Sequence, residues 1–322
     1  MCQTAVFYGE ALAKYGFGGS HPFGTYRLDA FWNKLQSESI GNIVVEDPVM
    51  AGYQAAVLFH DAEYVELVKV ASRHGGVLLD KGDTPAFKGA FEASLYVVGS
   101  TLAALDMVVM GRDKERRKVD HAFNPIGGLH HARRDSAGGF CIFNDIGVAI
   151  LTARKKHGMK RIAYVDIDAH HGDGVFYEFE DDPLLFFADI HEDGRYLYPG
   201  TGSASEIGKG VAAATKLNIP LEPGAGDDEF IKGFGNIEHF IESVKPELII
   251  LQCGADGLAA DPITHLQYTS KAHMFAADSL HRLAHKHCDG RIIALGGGGY
   301  NKANIGAAWT EVVRSLANDT NF

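Results

Sequence analysis

Residues 162–174 read Ile-Ala-Tyr-Val-Asp-Ile-Asp-Ala-His-His-Gly-Asp-Gly, and this stretch decides the fold. Its first part is a short apolar run, which is typical of a strand buried on both faces of a sheet. Asp166, Asp168 and His170 follow at alternate positions, so in a chain that stays extended their side chains point to one side. Two carboxylates and an imidazole there are costly unless something binds them, and both groups are zinc ligands. The stretch predicts a metal site, the alternative being a polar loop with a fortuitous Asp–His pair.

Predicted strands and helices alternate around this stretch. Helices are expected at residues 91–110, 145–157, 228–244, 270–287 and 303–317. Strands are expected at residues 4–8, 119–123, 161–167, 184–190, 215–220, 247–252 and 291–295. This alternation predicts an α/β fold, an open doubly wound sheet of mainly parallel strands with helices on both faces. Ligands of such sheets bind beyond the carboxyl ends of the strands.

The composition bears on the number of domains, the kind of partner and the cellular location. The chain has 322 residues, 46% of them hydrophobic, which is enough for one large core, and we expect a single domain over residues 1–322. The net charge is −11 and no basic stripe is present, which argues against nucleic acid as a partner. We expect no membrane span, because no apolar stretch of about 18 residues stands out. The absence of a signal-peptide pattern and four cysteines without paired spacing favour a reducing, cytoplasmic location.

A further acidic residue follows another apolar strand. Asp256 comes directly after the run Leu-Ile-Ile-Leu-Gln-Cys-Gly-Ala at residues 248–255. A single Asp in this position is more often a helix cap or a turn residue. Here it could also supply a third ligand beside Asp168 and His170, because the carboxyl ends of parallel strands meet at one edge. Three protein ligands leave positions open for water and substrate, as in catalytic zinc sites.

Two adjacent histidines lie in the glycine-rich stretch Gly-Gly-Leu-His-His-Ala at residues 127–132. His130 and His131 project in different directions and do not easily chelate one ion together. They are better suited to acid–base chemistry or to a hydrogen bond with a metal-bound water, each with a carboxylate behind it. Asp166 and Asp173 could serve as these carboxylates. The alternative is a pair of loop histidines in solvent.

Four glycines at residues 296–299 precede Tyr300. A glycine-rich turn after a strand can bind phosphate, but the stretch has neither the GxGxxG spacing nor a Walker lysine. The second interpretation is a close-approaching loop that brings the Tyr300 hydroxyl to a carbonyl oxygen, where a phenol can stabilise an oxyanion during amide hydrolysis.

Together these motifs resemble the zinc-dependent histone deacetylases, in the class I and bacterial acetoin-utilisation branch of the arginase/deacetylase superfamily. The matching stretches follow the family's order over most of the chain, at residues 127–132, 139–145, 165–174, 198–202, 252–256 and 296–301. The resemblance implies one open α/β domain with a mainly parallel eight-stranded sheet, in agreement with the alternation of strands and helices.

The resemblance also implies residue roles. The zinc ligands are Asp168, His170 and Asp256. The catalytic set is His130 and His131, backed by Asp166 and Asp173, together with Tyr300. The residues that contact substrate are the rim aspartate Asp83 and, along an acyl-lysine tunnel, Gly139, Phe140, Tyr198, Ile263 and Gly298. Arg27 matches an arginine below the site.

The resemblance implies one catalytic Zn²⁺, although Asp and His ligands also accept Fe²⁺, Co²⁺ or Mn²⁺. It further implies a structural K⁺ near the backbone of Asp166, Asp168 and His170. Asp189 stands where the family often has serine, and we expect it to strengthen or alter that cation site.

The expected reaction is removal of acetyl or another short acyl group from Nε-acyl-lysine in a peptide or protein. The alternative substrate is an acetylated polyamine or another small acylated amine. Ile263 argues against polyamines, because polyamine-selective relatives have a glutamate after the corresponding Asp-Pro. The intact set of ligands, histidines and tyrosine argues against a non-catalytic acyl-lysine binder. A two-manganese ureohydrolase needs more ligands than can be placed. The sequence leaves the physiological substrate and the oligomeric state open.

Overall fold

One sheet of eight parallel strands organises the protein. The computed structural model describes residues 2–115 and 117–318, so the two ends of the expected domain 1–322 lie outside the described residues. The strands are β1 Thr4–Phe7, β2 Ile43–Glu46, β3 His121–Asn124, β4 Ile162–Asp166, β5 Leu185–Glu192, β6 Lys216–Leu221, β7 Leu248–Gln252 and β8 Ile292–Leu295. Their order across the sheet is β2-β1-β3-β8-β7-β4-β5-β6, and every strand pair in the described part is parallel. The predicted α/β class with an eight-stranded sheet is confirmed.

Helices cover both faces of the sheet. They are α1 Glu10–Ala13, α2 Arg27–Ser37, α3 Tyr53–Ala56, α4 Ala62–Ala71, α5 Ala90–Met110, α6 Asp145–His157, α7 Asp173–Phe176, α8 Asp227–Val244, α9 Ser270–His287 and α10 Lys302–Ala317. Helices α4, α5 and α6 pack in the hydrophobic cluster on one face. Helices α2, α8, α9 and α10 pack in the cluster on the other. The five helices predicted from the sequence are present with shifts of at most one residue at either end.

The apolar run before Asp166 forms a central strand, as predicted. Along β4, Ile162 and Tyr164 belong to one hydrophobic cluster while Ala163 and Val165 belong to the other. A strand covered on both faces therefore carries apolar residues at every position rather than at alternate ones. Burying one such large side chain stabilises the fold by about 1.5–3 kcal/mol.

Helix α5 is the one helix of the described residues that is long and apolar enough, by length and composition, to cross a membrane. The sequence predicted a helix here but no membrane span. Two thirds of its apolar window is buried inside the protein (67%). The helix packs against β3 and α6, as expected of a helix lying on a sheet. A buried core helix passes the same test, so its composition is weak evidence for a membrane span. The predicted cytoplasmic location stays a prediction.

Strand β2 is the one strand of the described sheet that the sequence pattern did not predict. It has four residues, pairs only with β1 and lies at the edge of the sheet. Its Val45 is exposed, while Val44 and Glu46 are buried. Its apolar run is only three residues long, Ile43–Val45, and ends in a carboxylate, so the segment is too short for its pattern to stand out.

Candidate metal-dependent active site

Three side chains meet beyond the carboxyl ends of β4 and β7. Nδ1 of His170 lies 3.0 Å from Oδ1 of Asp168 and 3.1 Å from Oδ2 of Asp256. Their ligand atoms all lie within 4.8 Å of one another, and all three residues are buried. The three residues predicted as metal ligands are therefore brought together, although Asp256 lies 86 residues from His170 in the sequence.

A loop rather than a continued strand produces this convergence. The expectation of an extended chain through His170 is wrong, because β4 ends at Asp166. The Asp168 N–H donates to Asp166 Oδ1 over 3.1 Å, and the His170 N–H donates to Asp168 Oδ1 over 3.0 Å. These turns direct Asp168 and His170 towards Asp256 and leave Asp166 for another partner.

The site is built for a positive charge. Two buried carboxylates so close together are costly unless a cation lies between them. Burial opposes a charged imidazole at His170, but its hydrogen bonds to Asp168 and Asp256 outweigh burial and raise its pKa to about 10. Two carboxylates and one imidazole fit a zinc ion with open coordination positions. The same donors also suit iron, cobalt or manganese.

Neighbouring donors fix the two carboxylates in place. Asp168 Oδ2 accepts hydrogen bonds from Gln252 Nε2 and from the Gly298 N–H, each 2.8 Å long. Asp256 Oδ1 accepts from the Ala169 N–H over 2.9 Å. A side chain at residue 298 would clash, because a Cβ there would lie 2.2 Å from Asp256 Oδ2. Gly298, predicted to contact substrate, thus also packs directly against the candidate metal ligands.

The paired histidines each have their own carboxylate, as predicted. His130 Nδ1 lies 2.8 Å from Asp166 Oδ2, and His131 Nδ1 lies 2.7 Å from Asp173 Oδ1. The two Nε2 atoms are 3.0 Å apart. All four residues are buried, so the alternative of two loop histidines in solvent is wrong.

The environment shifts the pKa values of the two histidines in opposite directions. Burial opposes a charge on His130, but the carboxylates of Asp166 and Asp168 outweigh it and raise its pKa to about 9. Burial and the neighbouring His130 lower the pKa of His131 to about 4. The surroundings therefore favour a charge on His130 over a charge on His131, whose Nε2 lies 3.0 Å away.

A cavity of about 370 Å³ leads from the surface to this group. It is lined by His21, Pro22, Asp83, His131, Gly139, Phe140, His170, Leu197, Tyr198, Ile263 and Tyr300. Every residue predicted to contact substrate lies on it except Gly298, which lies in a small adjoining pocket beside Asp168. Tyr198 is half exposed at the mouth, with its ring centroid 5.1 Å from that of His131.

A tight turn directs Phe140 into the cavity wall. Gly138 and Cys141 exchange backbone hydrogen bonds, and the two residues between them have positive φ angles, 49° at Gly139 and 68° at Phe140. Two-residue hairpin turns of this hand require positive φ at both central positions. A phenylalanine adopts that conformation only when its surroundings hold it there. The Phe140 N–H donates to Thr84 Oγ1, which helps to hold the turn.

Glycine is required beside Phe140 for a second reason. A Cβ at Gly139 would lie 2.3 Å from Cδ2 of His131. The turn can therefore close over the His131 ring only with glycine at this position.

The glycine loop after β8 carries Tyr300 to the cavity. Arg27 is buried beneath this loop, where its Nε donates to the Gly299 carbonyl over 2.9 Å and its Nη2 donates to the Gly297 carbonyl. The guanidinium also stacks on the Phe23 ring, 4.0 Å from its centroid. Burial and the nearby Asp256 raise the pKa of Tyr300 well above its usual value, so the phenol stays protonated and can donate a hydrogen bond.

Three residues that hold the site in place were not assigned a role from the sequence. Gln252 holds Asp168, as described, and Asp261 Oδ2 accepts from the Tyr300 N–H over 2.9 Å. Asp145 Oδ1 accepts from the Leu129 N–H over 2.9 Å and so shapes the loop that carries the paired histidines. Gln252 and Asp145 lie within matching stretches and Asp261 lies two residues before Ile263, but their partners are 84, 16 and 39 residues away in the sequence.

The carboxylate of Asp189 accepts two hydrogen bonds. It accepts from the Gly172 N–H over 2.8 Å and from His191 Nδ1 over 2.6 Å, and it is buried. It lies beside Asp166, its register partner across β4 and β5. A K⁺ site at this position stays a prediction.

Comparison with known proteins decides the family. Residues 21–316 match the histone deacetylase domain model. The chain belongs to the histone deacetylase family. The acetoin utilization protein AcuC of Bacillus subtilis is 38% identical over 329 residues, covering 98% of this chain and 81% of that protein. Chloroplastic histone deacetylase 14 of Arabidopsis thaliana is 33% identical over 319 residues, covering 92% of this chain and 73% of that protein.

The fold agrees with this family. The crystal structure of the HDA15 HD domain superposes with a TM-score of 0.88 at 26% identity, covering 98% of this chain and 88% of that chain. The arginase/deacetylase fold and a place in the acetoin-utilisation-like branch of the histone deacetylase family are thereby confirmed. The family supports a hydrolase with deacetylase activity.

Proposed function

We propose that this deacetylase is a zinc-dependent enzyme that removes acetyl or other short acyl groups from Nε-acyl-lysine in peptides or proteins. The cavity carries this proposal. Apolar and aromatic side chains form its wall, and the predicted metal ligand His170, the proton acceptor His131 and the donor Tyr300 all face its interior. Such a cavity suits the methylene chain of a lysine, with the acyl group placed at the reacting side chains.

The chain's own residues then divide the proton transfers. A bound zinc ion would polarise the acyl carbonyl and lower the pKa of a water molecule. His131 accepts a proton from the attacking water and returns one to the leaving amine. The carboxylate of Asp173, 2.7 Å from His131 Nδ1, stabilises the imidazolium formed between these transfers. The Tyr300 hydroxyl donates to the oxyanion that develops on the acyl oxygen.

The wall and the rim favour peptides over polyamines. Ile263 lines the cavity and offers no partner to a second ammonium group. Asp83 is exposed at the rim, where its carboxylate can accept hydrogen bonds from peptide N–H groups beside the lysine. Hydrogen bonds to a charged group are worth about 1.5–3 kcal/mol each. We therefore expect peptide substrates to gain binding that small acylated amines lack.

The test compares turnover of a fluorogenic acetyl-lysine peptide with turnover of acetylspermidine. We expect a higher kcat/KM for the peptide, and loss of turnover after a chelator that zinc restores. Asp256→Ala should lose both metal and activity, since it removes one of three protein ligands. Full activity with stoichiometric metal in Asp256→Ala would contradict the ligand assignment. A higher kcat/KM for acetylspermidine would identify the enzyme as a polyamine deacetylase.

The contribution of the rim is measured with Asp83→Ala. This variant should lose about tenfold or more in kcat/KM on the peptide, since about 1.4 kcal/mol corresponds to a factor of ten, and change less on acetylspermidine. Asp47→Ala is the matched control, because Asp47 has an equally charged, 89% exposed side chain outside the cavity. An equal loss on both substrates would show that Asp83 does not select peptides.

A further inference from the structure

A second group of side chains that can ligate a metal lies at the other end of the strands, beside the amino end of β3. Cys2 precedes β1, His121 is the first residue of β3, and His281 and His285 lie one turn apart on α9. One ligand atom from each of the four lies within 4.8 Å of the other three. Because the strands are parallel, the amino end of β3 lies away from the catalytic residues, which follow the carboxyl ends.

The distances in this group match the edges of a metal coordination tetrahedron. His121 Nε2 lies 3.1 Å from His281 Nε2 and 3.4 Å from His285 Nε2, and Cys2 Sγ lies 3.4 Å from His285 Nε2. Zinc–nitrogen bonds of about 2.0–2.1 Å in a tetrahedron separate the ligand nitrogens by about 3.3 Å. The three rings surround one point, with centroids 4.6–5.2 Å apart.

We propose that Cys2, His121, His281 and His285 form a structural site for a divalent transition metal, zinc being the ion that this donor set favours. A thiolate and three imidazoles supply four ligands from the protein, so the site is closed, unlike the catalytic group with its three ligands and open positions. Thiolate and imidazole donors select zinc over magnesium or calcium.

Backbone contacts hold the ligands in a binding arrangement. His121 Nδ1 donates to the Gly290 carbonyl over 2.9 Å, which leaves the lone pair of Nε2 directed at the other ligands. Gln3, next to Cys2, is held on both sides by Asp120: the Gln3 N–H donates to Asp120 Oδ2 over 2.8 Å, and the Gln3 carbonyl accepts from the Asp120 N–H over 2.9 Å.

Burial and nearby charges act on the same group of ligands. Burial and the two neighbouring histidines lower the pKa of His121 well below its usual value, and burial and His285 lower the pKa of His281 to about 4. The Asp120 carboxylate lies close by, paired with Lys118 over 3.0 Å. An ion here would tie the segment before β1 to β3 and α9.

The experiment measures metal content and the spectrum of the cobalt-loaded protein, without a histidine tag and under reducing conditions. Wild type should bind two equivalents and show a sulfur-to-cobalt charge-transfer band, which the Asp–His–Asp group cannot produce. Asp256→Ala should bind one equivalent and keep the band. Cys2→Ser and His285→Asn should lose the band and one equivalent while retaining deacetylase turnover. Cys288→Ser, at the end of α9, is the matched control and should keep the band.

Two results would overturn the proposal. One is a wild-type protein that binds a single equivalent and shows no sulfur-to-cobalt band, which would identify the group as a hydrogen-bonded histidine network. The other is a band that survives Cys2→Ser. Neither result depends on the proposed substrate or reaction, because the readout is a spectrum and a stoichiometry rather than turnover.

Discussion

At the scale of single residues, the Tyr300 hydroxyl is the group whose removal separates binding from chemistry. Tyr300→Phe removes one oxygen from the cavity wall and leaves the ring and its edge contact with Phe140, 5.7 Å between centroids. We expect kcat to fall about a hundredfold or more, as for the loss of other oxyanion donors, with metal content unchanged and KM little affected. Steady-state kinetics on the acetyl-lysine peptide measure this.

Tyr196→Phe is the control for this experiment, because Tyr196 is two residues from Tyr198 in the sequence but does not line the cavity. Its kinetics should equal those of wild type. A wild-type kcat in Tyr300→Phe would remove that hydroxyl from the mechanism.

The site residues that the sequence predicted are those that stand in recognisable motifs. Asp168 and His170 follow an apolar strand at alternate positions, a spacing that predicts a shared ligand. Asp256 alone would be interpreted as a turn residue, and the family resemblance assigns it as a ligand. Gln252 lies within a matching stretch, yet its bond to Asp168 spans 84 residues of sequence. A polar residue in a buried strand signals a partner but does not say which one. The group of Cys2 and three histidines was missed for the same reason, because Cys2 and His121 lie far from His281 and His285 in the chain.

At the scale of elements, the start of α6 depends on a neutral histidine. Asn144 caps this helix by accepting from the Gly147 N–H over 2.9 Å, and its own N–H donates to His60 Nε2 over 2.9 Å. Protonated His60 could not accept this hydrogen bond. Burial lowers the pKa of His60 to about 4. The unfolded value is about 6.5, so the unfolded chain binds more protons between these two pH values. Stability from neutral His60 is therefore present above pH 6.5 and is lost as the pH falls towards 4.

His60→Gln should reduce this pH dependence, because an amide oxygen can accept the same hydrogen bond without titrating. The difference in unfolding free energy between pH 7 and pH 4 should be smaller in the variant by about 3 kcal/mol. Urea unfolding of metal-free wild type and variant measures it, free of effects from ion loss in acid. His239→Gln, on α8, is the control. An unchanged pH dependence in His60→Gln would show that this imidazole is not the group that titrates.

The elements were predicted where an apolar pattern is long. Helices such as α6 and α9 carry the pattern over many residues, and central strands such as β4 and β7 carry a dense apolar run. β2 was missed because a run of three apolar residues is too short to indicate a strand by itself. The turn at Gly139 and Phe140 was also not predicted, since a phenylalanine with positive φ is set by tertiary contacts rather than by its own preference.

At the scale of the whole molecule, the two groups of candidate metal ligands lie at opposite ends of the strands of one sheet, and an ion bound at either group would be coupled to folding. An ion that binds only the folded protein adds about 2.7 kcal/mol to stability at a hundred times its Kd. We expect a chelator to lower the melting temperature of wild type more than that of Asp256→Ala or Cys2→Ser, and least in the double variant. Calorimetry with and without zinc measures these shifts. Equal shifts in all four proteins would show that neither group couples to folding.

The fold class followed from the alternation of strands and helices, because short-range patterns decide whether each segment is a strand or a helix. The order of strands did not follow from those patterns. It depends on which segments pair across the chain, and in the described sheet β3 and β8 pair although β3 ends at Asn124 and β8 begins at Ile292.

The position of β8 has a consequence for synthesis on the ribosome. β8 is the last strand of the described chain, yet it lies in the middle of the sheet between β3 and β7. Until it emerges, β2-β1-β3 and β7-β4-β5-β6 are two separate half-sheets, each with an open edge that can pair with another chain. We therefore expect the nascent chain to need protection until β8, at Ile292–Leu295, has left the ribosome. A truncation before residue 292 removes β8 and leaves two half-sheets with unpaired edges. We expect such a fragment to aggregate and to lack activity.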